Sequence, residues 1–192
     1  NPLPASMIRR AEFLKKFLSD PEQVGAVTPA TTQLARTVAM ATIEAWHKPW
    51  AASGGRAGSR PVRLIELGAG TGALTRSLCV LNPIVVERDA AWAEQLRQQF
   101  PALEVRTECA TQTLADLSEP VGIVSSIPLM NNPQARHIEQ LLARRYADGL
   151  VKFCVLYTYG WSDPLRQAGF RQGVRRGFVA RSLPPASVWV YR

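Results

Sequence analysis

No run in this chain approaches the eighteen or so consecutive apolar residues that a membrane-spanning helix needs, and no signal peptide is visible at its start. The chain opens on Asn1, which leaves room for a native start upstream. Cysteine is scarce: Cys79, Cys109 and Cys154 are odd in number and lack metal or redox spacing. Free thiols in a reducing cytosol are the plain expectation, with no metal. Acid is scarce too, with 15 Asp and Glu against 23 Lys and Arg, a net charge of +8. That surplus implies an anionic partner: nucleic acid, phospholipid headgroups, or both. From Pro164 onward acid disappears, while Arg166, Arg171, Arg175, Arg176, Arg181 and Arg192 remain. Such a stretch is either a solvated basic hairpin or a face that contacts phosphates. There is no internal repeat. What is present, 192 residues with 46% hydrophobic, suffices for one compact core.

The most informative stretch is Glu66-Leu67-Gly68-Ala69-Gly70-Thr71-Gly72. The apolar run Val62-Arg63-Leu64-Ile65 before it reads as a buried strand, and Ala73-Leu74-Thr75-Arg76-Ser77-Leu78 after it as a helix. A glycine-rich turn between strand and helix lets the backbone approach a ligand closely. The nicotinamide fingerprint is G-x-G-x-x-G. Here the third glycine comes one position early, and an acid sits two residues before the first. That variant suits S-adenosylmethionine better, with Glu66 meeting the ammonium end and the glycines making room for carboxylate and ribose. Glu87 closes the next strand at about the twenty-residue offset expected of a ribose-hydroxyl acceptor.

Elsewhere strands and helices alternate. Ser6 caps a helix over 7–18, and Thr28-Pro29 starts another that ends near Trp46. Leu34, Val38, Ile43 and Trp46 give that second helix an apolar stripe. Residues 51–60 read as a flexible linker. Beyond the glycine turn follow a strand at Ile84–Glu87, a helix at Ala90–Gln99, strands at 103–106 and Val121–Ser125, a helix at 134–146 and a strand at 150–159. Two closing strands, 173–180 and 187–191, share a short connection that forces them antiparallel. The expectation is a doubly wound, mostly parallel seven-stranded α/β sheet with an antiparallel C-terminal hairpin, the Rossmann-like layout of class I methyltransferases. Residues 1–50 would form an N-terminal helical cap and 61–192 the cofactor-binding core. In open α/β sheets ligands sit beyond the carboxyl ends of the strands. That rule gathers Glu66, Glu87, Cys109, Ala110, Ser125, Ser126 and Tyr159 around one crevice.

Two segments bear on the second substrate. At about 100° per residue, Met7, Phe13, Leu14, Phe17 and Leu18 share one side of the first helix, with Arg9 and Lys16 opposite. A basic amphipathic helix with aromatic anchors can lie in a lipid interface, and the same pattern suits a helix packed on its own domain. The fourth strand ends Ser125-Ser126-Ile127-Pro128-Leu129. Adenine N6-methylating enzymes keep Asn or Asp there, then proline, then an aromatic on which a flipped base stacks. Ser stands for the Asn here and Leu129 for the aromatic, so a flipped adenine loses its platform.

Phe13-Leu14-x-x-Phe17, Val24-Gly25-Ala26-Val27-x-Pro29, the glycine turn, Ser126-x-Pro128-Leu129, Tyr157-Thr158-Tyr159-Gly160 and Pro184-Pro185-Ala186-x-Val188-Trp189-Val190-Tyr191 together resemble the bacterial phospholipid N-methyltransferase family. The matches run in order over nearly the whole chain. The resemblance implies an enzyme that methylates phosphatidylethanolamine and its methylated derivatives with S-adenosylmethionine, stepwise toward phosphatidylcholine. It implies a cytoplasmic protein held peripherally at an anionic membrane surface, with no stable nucleic-acid partner. More distantly, the chain is similar to ribosomal RNA adenine dimethylases. Two departures stand out: Glu108-Cys109 replaces the usual small-residue-plus-acid pair, and Ser126 replaces a usual glycine.

The residues expected on the cofactor side are Glu66, Gly68, Gly70, Thr71, Glu87, Arg88, Cys109, Ala110 and Ser125. Those expected at the acceptor are Tyr159, Ser126 and Pro128, with Arg9, Phe13, Lys16 and Phe17 at the membrane. Gly68→Val is expected to abolish cofactor binding without unfolding the chain. The rival readings are an RNA or DNA methyltransferase and a lipid-binding relative without activity.

Overall fold

The computed structural model describes residues 29–52, 62–127, 132–166, 168, 170, 173–182 and 185–192. Among these, seven strands form one sheet: β1 (Arg63–Leu67), β2 (Ile84–Glu87), β3 (Val105–Thr107), β4 (Val121–Ser125), β5 (Val151–Tyr159), β6 (Val174–Val179) and β7 (Ala186–Tyr191). Their order across the sheet is β3-β2-β1-β4-β5-β7-β6. The first five run parallel, and β7 is antiparallel to both β5 and β6. β2, β4 and β7 are buried along their whole length. Such continuous burial follows from helices covering both faces, and explains why their sequences are apolar runs rather than alternations.

Among the described residues, five α-helices pack against the sheet: α1 (Pro29–Ala52), α2 (Ala73–Leu78), α3 (Ala90–Gln99), α4 (Ala110–Ala115) and α5 (Ala135–Ala147). On one side, Leu34, Ala35, Val38, Ala41 and Ala45 of α1 meet Leu64, Val124, Val155 and Val188. On the other, Ile138 and Leu142 of α5 meet Ile65, Ile123 and Cys154. The apolar spacing of α1 thus has its explanation in the core. Trp46 Nε1 donates to Val62 O at 2.7 Å, tying the helix to the entry of β1. Instead of stopping near Trp46, α1 continues to Ala52. Where it crosses the sheet edge, a Cβ on Gly177 would stand 2.4 Å from Thr37 Cγ2, so the glycine in β6 is a seat for the helix.

Helix α4 was not legible in the sequence. Six residues are too few for a helical period to show. Its last carbonyls are closed from outside: Arg145 Nε donates to Leu114 O at 2.9 Å, and a terminal guanidinium nitrogen donates to Ala115 O. Strand β3 starts two residues later than expected, because Leu103 N is already committed to a turn, donating to Phe100 O at 3.0 Å. The expected amphipathic helix 7–18, with Arg9, Phe13, Lys16 and Phe17, lies outside the described residues, as do residues 53–60 of the expected linker. Among the described residues no helix is long and apolar enough to cross a membrane.

Candidate cofactor and acceptor site

The chain leaves β1 through three glycines in the left-handed region, Gly68 (φ 73°), Gly70 (φ 52°) and Gly72 (φ 78°). Each has a different steric reason. A Cβ on Gly68 would lie 2.5 Å from Ile127 Cγ1, so the first glycine admits the segment leaving β4. A Cβ on Gly72 would lie 2.8 Å from Phe100 and 2.9 Å from Leu96, so the third lets the start of α2 pack on α3. A Cβ on Gly70 would meet nothing within 4 Å among the described residues. Among the described residues, only the middle glycine of the three faces open space where a ligand could approach the backbone.

Glu66 and Glu87 sit on the same face of neighbouring strands, since Glu66 pairs in register with Val85, two residues before Glu87. Their circumstances differ sharply. Glu66 is wholly buried, and its pKa is raised from the ordinary 4.5 to about 7. Burial drives this first; the Thr75 hydroxyl opposes it and the charge of Glu87 adds to it. Yet neither Glu66 oxygen, nor Thr75 Oγ1, has a hydrogen-bond partner among the described residues, so the hydroxyl faces the carboxylate without closing on it. A buried carboxylate with both oxygens unmatched is costly in a folded chain and is the mark of a site shaped for something else. Thr75 is a candidate site residue that the sequence did not disclose, because inside an apolar helical run a threonine looks like filler.

Glu87, by contrast, is occupied. Its Oε2 accepts from Gly70 N and its Oε1 from Asp89 N, each at 2.9 Å. The acid expected to receive ribose hydroxyls therefore also staples the glycine turn to the end of β2. Each carboxylate oxygen has a second lone pair left for a hydroxyl donor. Asp89 in turn caps α3, accepting from Ala91 N at 2.8 Å and Trp92 N at 3.0 Å. Arg88 and Thr71 are exposed at the rim.

The loop after β3 brings Cys109 and Ala110 to the head of α4, with Ala110 buried. The Cys109 thiol is held below its ordinary value chiefly by the Thr111 hydroxyl, which donates to Sγ at 3.2 Å. Glu108 is turned onto α4: its Oε1 accepts from Thr113 Oγ1 at 2.9 Å and lies 3.8 Å from Arg106. At the end of β4, Ser125 is buried and accepts from Ile127 N at 3.3 Å, while Ser126 N donates to Leu67 O at 3.0 Å. Pro128 lies outside the described residues.

Register carries the acceptor side. Glu66 pairs with Val124, and Val124 with Val155, so the three share one level and one face. Tyr157 and Tyr159 continue that face toward the carboxyl end of β5 and pack into the same cluster as α1. Their rings meet edge to face, with centroids 5.9 Å apart. Burial raises both phenols, so both are neutral hydroxyls at ordinary pH. Tyr159 is half-buried. Trp161, which follows, is instead exposed and stacks on Phe178.

No protein-family model and no curated protein matches the chain. Among solved structures it is similar to the CurJ carbon methyltransferase, at 17% identity and a TM-score of 0.63, covering 91% of this chain and 57% of that one. It is similar to the magnesium protoporphyrin IX methyltransferase ChlM from Synechocystis PCC 6803, which carries bound SAM, at 13% identity and 0.59, covering 99% and 97%. A third is the N-methyltransferase NodS from Bradyrhizobium japonicum WM9, at 10% and 0.55, covering 80% and 93%. The chain thus spans little more than half of one neighbour and nearly all of the other two. At these identities the likeness is one of fold, and together with the strand order and the closing hairpin it establishes that this chain has the class I, Rossmann-like methyltransferase fold.

Proposed function

We propose that the protein is an S-adenosylmethionine-dependent N-methyltransferase whose acceptor is the amine of an ethanolamine phospholipid. The observation that carries the cofactor half is the unmatched Glu66 carboxylate on the face it shares with Glu87, which in turn holds the backbone N–H of Gly70. S-adenosylmethionine supplies a methyl group already activated on a sulfonium and, next to it, an ammonium. Glu66 is suited to meet that ammonium, Gly70 to let the cofactor near the backbone, and Glu87 to accept from ribose hydroxyls with its remaining lone pairs. A positive charge beside Glu66 lowers its pKa, so cofactor binding should release a proton at pH 6–7 and tighten as pH rises through that range.

The acceptor half rests on the two tyrosines and on the family resemblance of the Ser126, Tyr157 and Pro185 segments. Tyr157 and Tyr159 offer aromatic faces to an amine that gains positive charge on methylation, an attraction of about 0.5–2 kcal/mol. They hold it at the end of β5, on the face that also carries Glu66. The acceptor's nitrogen must shed its proton before it can attack. Neither tyrosine is a base near neutral pH, so the proton leaves to water. The chain's own contribution is then alignment and exclusion of water around the reacting nitrogen.

Labelled methyl transfer to phosphatidylethanolamine vesicles and to RNA, run in parallel, tests this. Label is expected in the lipid extract and not in RNA. Label in RNA alone overturns the acceptor assignment, and label in neither overturns the activity.

A further inference from the structure

The edge strand β6 presents an aromatic and basic surface that the site described above does not use. Trp161, at 64% exposure, stacks on Phe178, at 38%, with centroids 4.3 Å apart and planes 25° from parallel. The Arg175 guanidinium carbon lies 4.9 Å from the centre of the same indole ring. Large exposed apolar groups that have already stacked on each other in water mark a contact surface rather than scattered exposure. Register places this surface. Phe178 pairs with Ser187, and Ser187 with Thr158; Val179 pairs with Ala186, and Ala186 with Tyr159. The patch therefore stands level with the acceptor end of β5, two inter-strand spacings or about 10 Å along the sheet, but on the opposite face, since Thr158 alternates with Tyr157 and Tyr159.

We infer that the Trp161–Phe178–Arg175 surface docks onto an anionic phospholipid bilayer and brings its headgroup layer to the Tyr159 end of the sheet. Charge calls for an anionic occupant. The chain carries no acid from Pro164 to its end. Among the described residues Arg175 and Arg181 make no ion pair, whereas Arg176 lies 3.6 Å from Glu44 and is spent on α1. Tryptophan with arginine is the pairing that the headgroup region favours, the ring at the interface and the cation among phosphates. A nucleic acid would need a free ring face for its bases, and this indole is engaged by both Phe178 and Arg175. The choice of partner rests on the lipid-amine reading above; the surface itself does not.

The test is co-sedimentation with vesicles of phosphatidylglycerol and phosphatidylethanolamine, or of phosphatidylcholine alone. It compares the parent, Trp161→Ala, and Arg175→Ser with Phe178→Ser. Methyl transfer to a short-chain, monomeric phosphatidylethanolamine is measured alongside, and thermal melting confirms folding. The parent is expected to pellet with anionic vesicles and not with neutral ones. The double variant should bind about tenfold more weakly, given roughly fivefold for the charge alone. It should still methylate the monomeric lipid within about twofold of the parent. Equal pelleting of parent and variants overturns the inference, as does no pelleting at all. Patch-dependent binding of single-stranded RNA in preference to vesicles also overturns it, in favour of a nucleic-acid contact. If patch-dependent vesicle binding comes with no transfer to the monomeric lipid, the docking surface stands and the acceptor assignment falls.

Discussion

Glu66 is where stability and function pull apart. A carboxyl whose pKa rises from 4.5 to about 7 on folding holds its proton more tightly in the folded state. Its contribution is complete below about pH 4.5 and is lost as pH rises through 7, a change on the order of 3 kcal/mol. Glu66→Gln removes the charge and should raise the cofactor-free protein's unfolding free energy at pH 8 by about 1–3 kcal/mol, with little effect at pH 5. The same change should weaken S-adenosylmethionine binding by about 1.5–3 kcal/mol, the usual worth of a hydrogen bond to a charged group, and flatten its pH dependence. Denaturation at both pH values with calorimetry against the cofactor checks both halves. Parent-like affinity in the variant would sink the ammonium assignment. The glycines call for a revised choice of variant. Gly68→Val, expected from the sequence to spare the fold, instead drives a side chain into Ile127 at a left-handed φ and should destabilise the chain itself. Gly70→Ala meets no atom of the described residues within 4 Å and costs only about 1–2 kcal/mol of backbone strain. Its methyl enters the proposed cofactor space, so it should lose cofactor affinity while melting as one cooperative unit. If Gly70→Ala binds the cofactor as the parent does, that space belongs to something else.

At the level of elements, the sequence disclosed most where one force dominated. Ile84–Glu87, Ala90–Gln99 and Val121–Ser125 match their expected bounds, because buried parallel strands are unbroken apolar runs and Asp89 is a strong cap. The glycine turn was legible for the same reason, since few other backbones need three left-handed residues in five. What escaped were features created by contacts distant in sequence. The α4 helix depends on Arg145 from α5, the second duty of Glu87 depends on where Gly70 N falls, and the Thr75–Glu66 confrontation needs both α2 and β1 in place. The seat of α1 is of this kind as well. Nothing near Gly177 announces that Thr37, far back in the chain, will rest against it. Gly177→Val should therefore lift α1 from the sheet edge and cost about 1–3 kcal/mol, as overpacking generally does. Gly177→Val with Thr37→Ser should recover much of that loss. A chemical-denaturation cycle over the four proteins measures the coupling, and strict additivity would show that α1 does not bear on β6.

For the whole molecule, the proposed acceptor raises the question of how a chain with no membrane-spanning helix among its described residues would meet a lipid amine. Two regions bear on it: the β6 surface, and the 7–18 segment, which lies outside the described residues. In that segment Phe13 and Phe17 would bury apolar area among acyl chains while Arg9 and Lys16 meet phosphates. Each basic side chain near an anionic leaflet contributes about 1 kcal/mol, and salt screens that contribution over a Debye length of about 10 Å at 0.1 M. A contact through one region alone is weak and reversible. Two regions on one chain act together, because once the first is bound the second meets the surface at a high effective concentration. Phe13→Glu with Phe17→Glu should then reduce binding to anionic vesicles strongly, and combining it with Arg175→Ser and Phe178→Ser should abolish it. Affinity for S-adenosylmethionine should change little in any of these proteins. Raising salt from about 0.1 to 0.5 M should weaken the parent more than any variant, since the parent has the most charge to screen. Should Phe13→Glu with Phe17→Glu pellet as the parent does at every salt concentration, the 7–18 segment takes no part in membrane binding, and the β6 surface must hold the protein at the membrane unaided.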